Sequence, residues 1–407
     1  MPTPPADPFP GHLPGDPAYR RIAVCLFLAG LATFALLYAP QPLLPQLSQR
    51  FAVSAATATL SVSVTTLGLG VALLLAGPAT EVLGRTPLMH ASLFASSLVG
   101  LACAFAPNWE LLLVLRGLQG LTLAGLPAVA TAYLREEVHP TAAARATGLY
   151  IGGTALGGMS GRLIGGVVGD LVGWRGAFAA IGSLGLICAV VAFLLLPRSR
   201  NFIPVPARAG EVLRTARRVL SDPALLALYG ISGCLMGGFV AVYNTMGFRL
   251  AAPPFVLPLA LASLIFVTYA VGSFASSYAG SLADRHGQRV VVPLAILVGL
   301  LGLAITLPSS LVAVLIGLTV FTAGFFAAHG VASGWVAARA ALGGGGTGQA
   351  ASLYLFAYYL GSSVFGSLSG IAWTRAHWTG VAAMVGALWL VALVLSLLLR
   401  RIPRLRP

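Results

Sequence analysis

Apolar residues run along this chain in long blocks and do not alternate with polar ones. The blocks at 22–40, 60–80, 290–307 and 380–399 each approach the ~20 residues that cross a bilayer as an α-helix. The period-two alternation of a membrane barrel strand is absent. Short polar breaks divide the apolar blocks. The pattern predicts twelve spans, at 22–40, 56–80, 88–106, 110–134, 146–172, 176–197, 224–248, 258–282, 290–307, 311–336, 348–372 and 379–399. The expected fold class is an all-α polytopic membrane protein with twelve transmembrane helices in two pseudo-symmetric six-helix bundles.

The second half repeats the first. A shift of 204 lays Leu149, Tyr150, Leu156, Gly157, Gly166 and Trp174 on Leu353, Tyr354, Leu360, Gly361, Gly370 and Trp378. It also lays Gly120 on Gly324 and Arg135 on Arg339. A shift of 203 lays "GPATEVLGR" (77–85) on "GSLADRHGQ" (280–288). The expected organisation is a disordered tail (1–20), a first bundle (21–197), a basic linker (198–222), a second bundle (223–399) and a basic tail (400–407).

Composition agrees with the pattern. Only 8 % of the 407 residues are charged and 58 % are hydrophobic, against about 25 % charged in a soluble domain. The net charge is +14, which on a soluble chain would suggest nucleic acid. Position argues otherwise. Of the 24 basic residues, all arginine, 18 fall on the side holding both termini. Four (Arg50, Arg175, Arg249, Arg375) fall opposite, and Arg116 and Arg162 lie within spans. The positive-inside rule then places both termini in the cytoplasm. Nucleic acid is not an expected partner; the lipid bilayer is. Cys25, Cys103, Cys188 and Cys234 all lie in apolar spans without a C-x-x-C, so neither a disulfide nor a metal site is expected. "GGGGTGQ" (343–349) lacks the Lys-Ser/Thr ending and preceding strand of a phosphate loop. No cofactor is expected, and the energy source is an ion or substrate gradient.

Three ionisable groups lie deep in the spans: Arg116, Arg162 and His329. A buried arginine costs at least ~2.5–3.5 kcal/mol and usually faces the protein interior. Side chains lean toward their helix's N-terminus. Arg116 therefore leans toward Glu110 and water, where snorkelling is easy. Arg162 leans toward the membrane centre, and Asp170 is eight residues on, a ~12 Å rise that is far for a pair. Arg162 either meets an anionic or hydroxyl-rich ligand or binds carbonyls and braces the halves. His329 suits a proton relay, or it is a hydrogen-bonded packing residue. Asp170 is a further proton-coupling candidate. Tyr150, Tyr354, Tyr358, Tyr243, Asn244, Gln41 and Thr33 could line an amphipathic cavity with Arg162. Tyr38, Trp109, Trp174 and Trp378 fit interfacial anchors. The glycines every fourth residue through 152–174 allow close helix packing.

Three motifs carry a family resemblance. The loop "GPATEVLGRTP" resembles G-x-x-x-D-x-x-G-R at Gly77, Glu81, Gly84 and Arg85. "LRGLQG" resembles R-x-x-Q-G at Arg116, Gln119 and Gly120. Helix 5 resembles G-x8-G-x3-G-P-x-x-G-G at Gly148, Gly157, Gly161, Gly165 and Gly166. Together they resemble the major facilitator superfamily in its drug:proton antiporter branch, most of all the YnfM-like inner-membrane exporters. Glu81 replaces the usual Asp, and Arg162 stands where the antiporter motif has proline. The resemblance implies rocking of two halves about a central site, with helix 5's glycine stripe where the halves meet. It implies gating by Glu81 near the start of helix 11 and by Asp284 near the start of helix 5, and a structural or proton-coupling role for Arg116. Gly280 and Gly287 repeat Gly77 and Gly84, and Arg289 keeps the second basic position of the family's loop, where the first copy has Thr86.

The implied function is secondary transport across a bacterial inner membrane, by a proton-coupled exporter of small amphipathic or hydroxylated solutes, functional as a monomer. The alternative is an importer or facilitator of a small metabolite anion using Arg162. An intramembrane enzyme would need clustered acids, a deep Ser/His pair or a metal constellation, and the sequence offers none.

Overall fold

A computed structural model describes residues 10–202 and 209–403, without the side chains of 76–79, 81–83, 209, 211 and 212. Gly77 and Glu81, residues 1–9 of the tail, 203–208 of the linker and 404–407 thus lie outside the described set.

The chain is a succession of helices. In order they are α1 (Pro17–Tyr38), α2 (Leu44–Phe51), α3 (Ala55–Leu83), α4 (Arg85–Cys103), α5 (Trp109–Leu123), α6 (Gly125–Glu137) and α7 (Pro140–Leu195). After the linker helix α8 (Ala209–Leu220) come α9 (Pro223–Ala251), the short α10 (Leu259–Ser263), a 3₁₀ turn (Leu264–Tyr269) and α11 (Ala270–His286). Then follow α12 (Gln288–Ile305), α13 (Leu311–Leu342) and α14 (Thr347–Leu398). Among the described residues, ten stretches are long and apolar enough to cross a bilayer. Two of them, α7 and α14, run 56 and 52 residues. At 1.5 Å per residue they measure about 84 and 78 Å, against a ~30 Å hydrocarbon core. Each is broken near its middle, at Gly173 (φ 78°) and at Ala376–His377 (His377 φ 47°). Each therefore crosses twice, which gives the twelve expected spans.

Local sequence explains the boundaries. Ser54, Asn108 and Ser310 cap α3, α5 and α13 by accepting the backbone N–H of Thr57, Leu111 and Ala313. Proline opens α1, α7 and α9, where its missing N–H costs nothing. The two repeated loops turn on Gly84 and Gly287, with φ of 80° and 84°. These positive angles favour glycine and match the 203-residue repeat.

The face with both termini is the terminal face; the opposite one is the distal face. Residues 10–16, expected in a disordered tail, are placed against the terminal face. His12 N–H donates to the Glu137 carbonyl at 2.8 Å and His139 N–H to the His12 carbonyl at 3.1 Å, and α1 begins at Pro17.

The helix 5 stripe packs differently from the expectation. A Cβ on Gly153, Gly157 or Gly161 would lie 2.2, 2.1 and 2.4 Å from the backbone of Phe27, Leu31 and Ala35. The stripe thus seats α1, within its own half. The second half repeats the device, with Gly361 of α14 against the Gly233 carbonyl of α9 at 2.1 Å. The halves instead meet through neighbouring positions. Gly166 faces Ser263, and Gly370 faces Ala56, at 2.2 and 2.3 Å on the same measure. Both contacts lie toward the distal face. Nearer the terminal face, Gly148, Gly152 and Gly280 have open space where a Cβ would stand. On the distal side the halves are therefore in close contact.

Gly157→Val should lower thermal stability and monodisperse yield, because overpacking a tight contact costs about 1–3 kcal/mol. Gly148→Ala, from the same motif, should leave both unchanged. A fluorescence size-exclusion thermal scan of the two variants separates these outcomes.

Candidate functional site

Arg162 stands at the seam of the halves, on the Gly158–Gly166 track, and is 2 % exposed. Its Nη1 donates to the Gly158 carbonyl at 2.5 Å, and its Nε donates to Gln41 Oε1 at 2.5 Å. Gln41 Nε2 then donates to Asn244 Oδ1 at 2.8 Å, and Asn244 Nδ2 donates to the Gly366 carbonyl at 3.4 Å. Three rings frame the guanidinium, with centroids at 4.1 Å (Tyr38), 4.6 Å (Tyr269) and 5.2 Å (Phe266). Such desolvated cation–π contacts contribute up to about 2 kcal/mol. Among the described residues no carboxylate pairs with Arg162, and no hydrogen bond is made by Nη2.

The structure thus gathers three sequence candidates, Arg162, Gln41 and Asn244, and adds three rings. Tyr38 fitted an interfacial anchor, yet it is buried against Arg162. Trp109, Trp174 and Trp378 are likewise buried. Trp109 and Trp174 flank Phe51. Trp378 lies 4.6 Å from the Arg249 guanidinium and donates to Thr306 Oγ1 at 3.1 Å. Phe266 and Tyr269 were missed. They reach the site because the eighth span breaks into a 3₁₀ turn at Leu264–Tyr269, which hydropathy alone does not signal. Tyr243 sits behind this turn, its hydroxyl bonded to Thr268 and Thr322 at 2.7 Å each.

A second cluster forms on α13 and α14. His329 Nδ1 is 3.0 Å from the Tyr354 hydroxyl. Its ring stacks on Phe325 (5.7 Å) and Tyr354 (5.6 Å) and tilts on Tyr358 (4.7 Å). The imidazole therefore has a hydroxyl partner and an aromatic enclosure, with no acid beside it among the described residues.

Other candidates are not drawn into either cluster. Thr33 bonds its own helix at Ala29, and Tyr150 is buried in the apolar core of the first half. Asp170 is exposed. Arg116 does not lean to Glu110. It is fully buried and donates to the carbonyls of Leu36, Leu37 and Ser61 at 3.0, 2.6 and 3.0 Å and to Gln119 Oε1. Those partners tie α1, α3 and α5 together.

On the terminal face, Arg85 pairs with Glu136 at 2.8 Å. Glu137, a fully buried acid the sequence reading overlooked, accepts from Ser199 Oγ and from the Arg200 and Asn201 N–H groups at 2.6–3.0 Å. Asp284 is exposed and makes no ion pair among the described residues. Arg289 donates to the carbonyls of Arg400 and Ile402. Arg339 pairs with Asp222 at 2.8 Å. Burial by itself pushes the Asp222 carboxyl up, but the Arg339 N–H groups and the Ala224 N–H outweigh it and hold its pKa below 3.8. A depressed folded-state pKa stabilises above the unfolded value and is lost as pH falls through the folded one. Asp222→Asn should therefore lower the melting temperature at pH 7 and bring it closer to the parent's as the pH falls below 3.8, a comparison that a thermal scan against pH checks.

Residues 23–267 match the Major Facilitator Superfamily. The chain is 42 % identical to the MFS-type transporter YybF of Bacillus subtilis (strain 168), covering 94 % of each chain. It is also 42 % identical to the inner membrane transport protein YnfM of Escherichia coli (strain K12), covering 95 % of this chain and 92 % of that one. The chain belongs to the major facilitator superfamily. It is thus a multi-pass membrane transporter rather than an enzyme, and its substrate is a small molecule bound within the membrane. The major-facilitator fold agrees with a solved bacterial homologue of the human lysosomal transporter Spinster. That match has a TM-score of 0.81 at 16 % identity and covers 95 % of this chain and 98 % of the other.

Proposed function

We propose that this transporter is a proton-coupled exporter of small amphipathic solutes that carry an anionic group, working by alternating access with its terminal face in the cytoplasm. One observation carries the substrate class. Arg162 is a buried cation at the seam of the halves with no carboxylate partner among the described residues. An uncompensated charge there costs several kcal/mol, and an anionic ligand in the seam removes that cost. The aromatic frame suits an apolar body beside the anion. The arginine count of 18 against 4 supports the orientation. Export rests on the resemblance to antiporters. His329 supplies the titratable group for coupling, through its bond to Tyr354. Arg116 is assigned a structural role, because its partners are carbonyls and an amide.

The test is flux in proteoliposomes for a panel of carboxylates beside their neutral amides, with and without an imposed pH gradient. Carboxylates should move, amides should not, and the gradient should accelerate flux. His329→Asn should retain substrate binding and lose the acceleration. Equal flux of acids and amides would sink the anion reading. Flux indifferent to the gradient in the parent would sink the coupling. The importer reading predicts the opposite response to the gradient's sign.

A further inference from the structure

The polar bonds at the seam form one continuous chain. It runs from the Gly158 carbonyl through Arg162, Gln41 and Asn244 to the Gly366 carbonyl. Gly158, Arg162 and Gln41 belong to the first half, Asn244 and Gly366 to the second. Gln41 is fully buried, and both ends of its amide are engaged. One turn further toward the distal face, Pro45 lies 3.6 Å from where a Cβ on Gly247 would stand. Pro45, Phe248 and Arg249 there line a cavity of about 740 Å³. The Gln41–Asn244 bond therefore stands between Arg162 and the distal cavity.

We infer that Gln41 is a positioning residue that makes an occupied Arg162 incompatible with a closed distal face. The ligand in this inference is the anion of the preceding proposal, on which it rests. A carboxylate on the Nε/Nη2 edge of Arg162 replaces one neutral amide acceptor by an ionised one held through two parallel bonds. Gln41 Oε1 then loses its donor. Its amide turns, and Nε2 leaves Asn244. The halves lose their polar tie, and the distal cavity joins the site. A ligand shifts a two-state equilibrium only through such a differential contact. The packing contacts of the seam, Gly166 on Ser263 and Gly370 on Ala56, hold no charged group, and the Ser263 hydroxyl is spent on the Ala260 carbonyl. Gln41 answers to a ligand's charge through Arg162.

The experiment uses the full chain in nanodiscs, with the four cysteines replaced and spin labels at Glu110→Cys and Ser309→Cys. These positions are exposed at the distal ends of the two halves. Double electron–electron resonance reads the distance without ligand. The parent should show the short, closed distance. Gln41→Leu and Asn244→Ala break the tie from opposite sides, and each should raise the long-distance population about tenfold, the worth of one net buried hydrogen bond. Asn244→Asp keeps the acceptor and should stay closed. Arg162→Met removes the donor that holds Gln41 Oε1, as a bound carboxylate would, and should also shift the population toward the long distance. Only variants eluting as one symmetric peak are scored, and the two tie-breaking variants stand in for each other. An unchanged distance in both of them overturns the inference. So does an unchanged distance in Arg162→Met, because the Gln41–Asn244 bond is then a tie without connection to the ligand site. These distances need no substrate. If no carboxylate of the flux panel moves, the anion reading falls alone, and the distances still decide the coupling.

Discussion

Arg162→Met should cut flux of an anionic substrate roughly 30-fold to several-thousand-fold in a protein that still folds. The range comes from truncating one partner of a buried charge pair, about 2–5 kcal/mol, at 1.4 kcal/mol per tenfold. Folding should survive for a physical reason. Methionine has a similar length, and because no carboxylate pairs with Arg162 among the described residues, losing its charge strands no buried counter-ion. The rings of Tyr38, Tyr269 and Phe266 would then surround a thioether, which packs well on aromatic edges. Arg162→Lys should fall between parent and Met. It keeps the charge but loses the planar fork and the Nε–H that meets Gln41. The readouts are flux of a carboxylate with its amide as control, and the melting temperature of each variant. Flux of Arg162→Met equal to the parent's, in protein of equal stability, would remove Arg162 from the substrate site.

The fold was legible because its determinants are periodic or repeated. Apolar blocks of span length give helices, and the 204-residue shift gives two halves. The paired glycines at the turns, Gly84 and Gly287, take the same positive φ. The two spans inside α7 and the two inside α14 were also legible, because short breaks carrying Arg175 and Arg375 divide their apolar blocks. The site was legible only in part. Arg162, Gln41 and Asn244 stood out as polar groups in apolar surroundings, and they are in contact. Phe266 and Tyr269 did not stand out, and Tyr38 fitted an interfacial anchor, since an aromatic ring in a membrane span is ordinary. Only the third dimension separates a ring facing lipid from one facing a guanidinium. The tryptophans were misplaced for the same reason. The glycine stripe was misread in a more instructive way. Close packing was correct, but Gly153, Gly157 and Gly161 face α1, because period four fixes a helix face and says nothing of which helix meets it. Arg162, on the adjacent track of the same helix, is what reaches the rings of the other half.

Arg116→Leu should prevent the chain from accumulating as folded protein, the opposite of the outcome at Arg162. The two arginines share burial, but their partners differ. Arg116 satisfies three backbone carbonyls from two other helices, those of Leu36, Leu37 and Ser61, together with the Gln119 side chain. Leu36 and Leu37 lie at the end of α1, where the last turn's carbonyls lack helical partners. Removing the guanidinium leaves these groups buried and unpaired, at about 1–3 kcal/mol each, so three of them cost on the order of 3–9 kcal/mol. Membrane domains with a stability of about 5–15 kcal/mol do not tolerate a loss at the upper end. Arg116→Lys offers three donors on one point charge and no fork. It should fold with a lowered melting temperature, and its flux should keep the parent's pH dependence. That last measurement separates the structural role from proton coupling. If Arg116 relayed protons, lysine would shift or abolish the response to a pH gradient while His329→Asn would not. If it braces helices, the pattern reverses: stability falls at position 116, and the pH response is lost at position 329.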